Sequence, residues 1–230
     1  MRIEIMATRA LGQAMVGNTE KAFAWIDETL NYAIQQELPE QVTYVYRRMA
    51  NIHEYSGNFQ AYLDLELKAL DRCRTDEHGD LEQACLSCLS YAFFRCGHWK
   101  RSQEMVRLVL DELNIQGELR LIALGTRSAI AAFRGEKRTF DSSRKQFEDL
   151  VRICGGAYMH FHVIWSAGIL ADLEGDSKTA DQEFSELIEL WRDTEDRHDV
   201  VPGMVSACSF YADCNQSNRL AECIDILNTI

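Results

Sequence analysis

Five glycines divide this chain at nearly even intervals. Gly17-Asn18, Gly57-Asn58, Gly97-His98, Gly135-Glu136 and Gly175-Asp176 each follow an apolar helical run and precede another. The glycines lie 40, 40, 38 and 40 residues apart. A fixed period in this range is the signature of helical hairpins stacked on their neighbours in sequence. Residues 86–102 are the clearest copy, with one helix ending, a tight turn at Gly97, and a second helix beginning.

Composition supports helices throughout. Apolar residues make up 47% of the 230, enough to build a continuous core and too many for a disordered chain. Only two prolines occur, Pro39 and Pro202, and both read as lying between helical segments. Proline inside a helix costs about 3 kcal/mol, so its scarcity favours an all-α chain. Few runs alternate with period two, so no sheet is expected.

The spacing predicts six units in one repeat domain, at 1–38, 39–79, 80–116, 117–156, 157–201 and 202–230. Thr19 is placed to cap the second helix, and Pro39 to occupy the first turn of the third. Gly155-Gly156 closes the fourth unit. The sixth begins after Pro202. Its turn carries Asn215 in place of glycine, and asparagine tolerates the left-handed conformation next best.

Placed in register, the units share a pattern. Unit two gives Tyr46, Met49-Ala50, His53, Gly57, Tyr62 and Ala69. Unit three gives Leu86, Leu89-Ser90, Phe93, Gly97, Ser102 and Val109. Unit five gives Ile164, Ala167-Gly168, Ala171, Gly175, Ala180, Phe184 and Leu187. Small residues let two helices approach, and large ones fill the groove beside them. The pattern resembles tetratricopeptide repeats, although the period is near 40 residues against that family's 34. The longer period, with the run from Leu190-Trp191-Arg192 to Pro202, resembles the degenerate repeats of bacterial LuxR-type regulators and signalling ATPases. HEAT and armadillo arrays have similar periods, but their usual inter-helix proline is missing. The resemblance implies an all-α, α-α superhelix, a TPR-like solenoid of about six hairpins. It also implies a regulatory module that binds a protein or peptide.

In that family, ligand contacts come from the first helix of each hairpin, on the face turned from the second. Carried over by register, this concave face holds Tyr44, Arg47, Asn51, Glu54 and Tyr55 in unit two. Unit three supplies Tyr91, Phe94 and Arg95, unit five supplies His162, Trp165 and Asp172, and unit six supplies Phe210 and Asp213. A small-molecule or short-peptide receptor with a pocket near Tyr91, Phe94, His162 and Trp165 is the alternative. Self-assembly through Ile224, Leu227 and Ile230 of the last helix is another.

Other chemistry finds little support in the sequence. Cys85-x-x-Cys88 lies inside a helical run with no convincing third and fourth ligand among His78, Cys96 and His98, so packing is expected there and no metal. His160 and His162 are two apart and point to different helix faces, one expected toward the core. No nucleophile elbow or paired-histidine metalloprotease motif occurs, so no catalytic residue and no cofactor is expected. A net charge of −12, spread along the chain, repels phosphate backbones, which disfavours direct nucleic-acid contact. No apolar run approaches the ~20 residues that span a bilayer. The first residues lack a secretory signal, and eight irregularly spaced cysteines suit a reducing cytoplasm.

Overall fold

The computed structural model describes residues 2–76, 79–113, 115–154, 160–193 and 197–230. Every regular element among them is helical. The chain divides into two compact units, residues 1–115 and 116–230.

The first unit holds α1 (Arg2–Met15), α2 (Thr19–Gln35), α3 (Pro39–Tyr55), α4 (Phe59–Thr75), α5 (Gly79–Arg95) and α6 (Trp99–Arg107). A π-helical turn, Leu108–Glu112, continues α6. The second unit holds α7 (Glu118–Phe133), α8 (Lys137–Cys154), α9 (His160–Leu173), α10 (Ser177–Leu190), a 3₁₀ turn at Trp191–Asp193, α11 (Arg197–Asp213) and α12 (Ser217–Leu227). These pair into six hairpins, and within each unit consecutive hairpins pack on one another, through α1–α3, α2–α3 and α4–α5 in the first and α7–α9, α9–α11 and α10–α11 in the second, the all-α solenoid arrangement the glycine spacing predicts.

One turn recurs seven times among the described residues. At Gly17 the chain enters the left-handed region (φ 82°), and the amides of Gly17 and Asn18 donate to Ala14 O and Gln13 O. This closes the last helical turn and satisfies carbonyls that would otherwise lack partners. The same pair of bonds recurs at Gly57, Gly97, Gly135 and Gly175. The sixth copy uses Asn215 at φ 57°, with Gln216 N donating to Tyr211 O. The turn between α2 and α3 repeats the device with Glu37 at φ 54°. Pro39 occupies the first turn of α3.

Three local expectations are corrected. Thr19 is the first residue of α2 rather than its cap. Asn18 holds the cap position, and its amide donates to Gln13 Oε1 instead of capping the helix. Pro202 lies inside α11 rather than before it. The next residue explains why the helix runs through it. Gly203 is buried, and a Cβ there would stand 2.5 Å from Leu187 Cδ2 and 3.3 Å from Trp165 Cβ. Helix α11 therefore meets α9 and α10 most closely where the sequence reads as a break. Packing at that point offsets the one backbone bond that Pro202 forfeits. Finally, α6 gives way to the π turn at Leu108 instead of continuing as an α-helix to residue 114. Gly155, Gly156 and Thr194–Asp196 of the regulator-like run lie outside the described residues.

Two helices are enclosed over long consecutive stretches, α5 from Ala84 to Phe94 and α9 from Phe161 to Gly168. A helix that is apolar or small on every face belongs inside a core. Helix α9 packs against α7, α10 and α11. Its Gly168 lies under Phe184 of α10, where an added Cβ would come within 2.8 Å of the ring. That close approach is the physical meaning of the small residue in the repeat pattern.

Candidate functional site

The residues singled out on α3 do not share one environment. Tyr44 and Asn51 remain partly exposed, Glu54 is buried, and Arg47 turns inward. Only 18% of the Arg47 side chain is accessible. Its Nε lies 3.8 Å from Glu66 Oε2 on α4, and its Nη2 is 3.6 Å from the Cys88 sulfur on α5. Asn51 donates to Glu54 at 3.4 Å.

Glu66 is the buried ionisable group that sequence reading missed. It sits on α4 at a position flanked by Leu65 and Leu67, where a charged residue reads as surface. Its side chain is 0% exposed. Neither carboxylate oxygen, nor Arg47 Nε, has a hydrogen-bond partner among the described residues. Burial disfavours the carboxylate form, and this pushes the Glu66 carboxyl up to about 7 despite Arg47 and the weakly donating Cys85 thiol nearby. Arg47 stays a cation. Burial opposes its charge, and the neighbouring Glu66 is the chief group that favours it. Tyr62, Cys73, Cys85 and Cys88 complete the surroundings. Burial raises all four, Cys88 to about 12, so these thiols are protonated at neutral pH. The cluster thus joins three helices through one ion pair and a set of weak donors.

Beside it, two tyrosine–arginine pairs lie on the first helices of their hairpins. Arg48 Nε donates to Tyr44 Oη at 2.9 Å, with the guanidinium over the Tyr44 ring. The Tyr44 hydroxyl also meets Thr8 of α1 at 3.4 Å. On α5, Arg95 donates to the Tyr91 hydroxyl and stacks 3.7 Å above Phe59. Both arginines are half-buried, each with its guanidinium carbon over an aromatic ring and a nitrogen bonded to a tyrosine hydroxyl. Tyr91 and Phe94 themselves are enclosed, with Phe59 and Trp99 against them.

In the second unit, His162 is fully enclosed and Trp165 is buried. His162 Nε2 lies 3.9 Å from Asp199 Oδ1 on α11. The Trp165 indole N–H donates to Ser206 Oγ at 2.7 Å, and Ser206 donates to Pro202 O. These contacts tie α9 to α11. His160 is partly exposed, so the two histidines do point to different surroundings. Asp172 and Asp213 are exposed, and Phe210 is buried against Phe184.

Among the described residues, no group of three or more His, Cys, Asp or Glu is arranged to hold a metal ion. All eight cysteines are free thiols. No helix among the described residues is long and apolar enough to cross a membrane. No protein-family model matches the sequence, and a search of curated proteins finds no match.

Proposed function

We propose that this chain is a binding module built of tetratricopeptide-like hairpins. In this reading it is the regulatory part of a larger cytoplasmic signalling or transcription-regulating protein, and it docks a protein or peptide on the first helices of the first unit. The observation that carries the reading is the pair of preorganised arginines, Arg48 on Tyr44 and Arg95 on Phe59 and Tyr91. Arginine and tyrosine are enriched where binding energy concentrates, and a guanidinium already held by a tyrosine hydroxyl and an aromatic ring loses little freedom on meeting a carboxylate. The partner is therefore a segment that presents an acidic side chain or a terminal carboxylate.

Arg47 and Trp165 are unsuitable probes of this face, because their side chains serve the interior. The test is instead charge reversal at Arg48 and Arg95. R48E and R95E, checked for native helicity by circular dichroism, are compared with wild type in binding to a library of acidic and carboxy-terminal peptides. Wild-type capture of a subset, lost in both variants, is expected. Equal capture by folded variants refutes the assignment.

Self-assembly has one observation in its favour. At the end of the last hairpin Ile224 on α12 is 45% exposed, with Leu227 and Ile230 partly exposed. Sedimentation of wild type against I224D decides it, since self-assembly through this face requires a concentration-dependent species that the variant loses.

A further inference from the structure

The Arg47–Glu66 pair is poorly explained as a simple stabilising contact. An ion pair taken out of water returns its desolvation cost only when the geometry is close and the remaining polar atoms are hydrogen-bonded. Here a single nitrogen approaches at 3.8 Å, and both Glu66 oxygens and Arg47 Nε lack hydrogen-bond partners among the described residues. The pair sits where α5 packs on α4, with α3 supplying the arginine. The groups around Glu66 are Arg47 and Arg48 from α3, Tyr62 and Cys73 from α4, and Cys85 and Cys88 from α5, with the buried carboxyl of Glu54 on α3 acting on Tyr62 and Cys88, and Glu82 of α5 on Cys73. The Glu66 side chain is fully enclosed, whereas Arg47 keeps part of its side chain at the surface.

We propose that Arg47 and Glu66 form a proton-operated clasp between the second and third hairpins. Ionised Glu66 holds the Arg47 guanidinium inward against α4 and α5. When Glu66 takes up a proton, the inward arginine loses its counter-charge and extends along its exposed edge to water. Burial pushes the Glu66 carboxyl up to about 7, against the opposing pull of Arg47, the Cys85 thiol and Arg48. Release has two consequences. Cys88 loses the guanidinium that covers its sulfur, and a second arginine joins Arg48 on the outer face of α3.

The experiment uses the whole chain. Carbon-13 labelling of the glutamate carboxyls follows each titration by NMR. One carboxyl is expected with a midpoint near 7 instead of near the ordinary 4.5, and E66Q removes that signal. Iodoacetamide labelling of Cys88, read by peptide mass spectrometry at one fixed pH of about 8, is expected to be severalfold faster in E66Q, which mimics the protonated clasp. A Glu66 midpoint among the ordinary carboxylates overturns the proposal. So does equal Cys88 protection in wild type and folded E66Q. Should E66Q fail to fold, the wild-type titration decides alone, since a midpoint near 7 that moves in R48Q through altered charge supports it.

Discussion

The seam between the second and third hairpins and the seam between the fifth and sixth are built on opposite plans. In the first unit α5 packs on α4, and α3 reaches it through Arg47, whose charge meets Glu66 inside the stack. In the second unit α11 packs directly on both α9 and α10, with Gly203 admitting Leu187 and Trp165. Its polar contacts there include the Trp165–Ser206 hydrogen bond. The strong arginine pairs of that unit lie nearer water, as where Arg144 on α8 meets Glu183 on α10 at 2.7 Å. The same hairpin therefore joins its neighbour by fit where the contact residues are small, and by charge where they are ionisable. Fit is insensitive to pH, whereas buried charge is not, whether at Arg47–Glu66 or where His162 meets Asp199 in the second seam.

The largest expected effect comes from breaking the charged seam. Arg47→Met leaves Glu66 buried beside an apolar chain, and losing one partner of a buried pair costs about 3–5 kcal/mol. Urea unfolding at pH 8 should show that loss. At pH 5 the loss should be smaller, because Glu66 is then protonated and needs no counter-charge. An equal loss at both values would erase the contrast between the seams.

Next is the pH dependence of the wild type. Glu66 holds its proton to about 7 when folded, against an ordinary value of 4.5. The folded state thus binds more protons in that window. The contribution of this residue is fully present below 4.5 and is lost as pH climbs through about 7, a fall of about 3 kcal/mol. Thermal or urea unfolding across pH 4 to 8 reads this as a slope that E66Q lacks. A variant confined to the other seam, such as W165F, should keep it.

Smaller effects test the seam built by fit. Gly203→Ala forces a methyl against Leu187 and Trp165, and overpacking of this kind costs about 1–3 kcal/mol at any pH. Gly12→Ala supplies the control. It lies inside α1 with nothing within 4 Å of an added Cβ, so alanine should raise stability by about 0.5–1 kcal/mol. If the two substitutions act alike, close approach at Gly203 is not what joins α11 to its neighbours.

The chain's own order of residues determined the hairpins. Left-handed turns are local, and the glycine-centred signal at residue 97 is written within a few positions, so its place was legible without coordinates. Asn215 was legible for the same reason. The enclosure of α5 and α9 was half legible, since runs such as 161–168 are apolar or small on every side. What each hairpin does to the next was not. Arg47 reads as a surface cation and Glu66 as a surface acid, because local patterning cannot register that side chains 19 positions apart meet inside. Pro202 reads as a stop, because the packing of Gly203 on Leu187 comes from a different hairpin. Turn geometry depends on a residue and its near neighbours, whereas the environment of a charge depends on everything folded around it, and only the assembled helices set that.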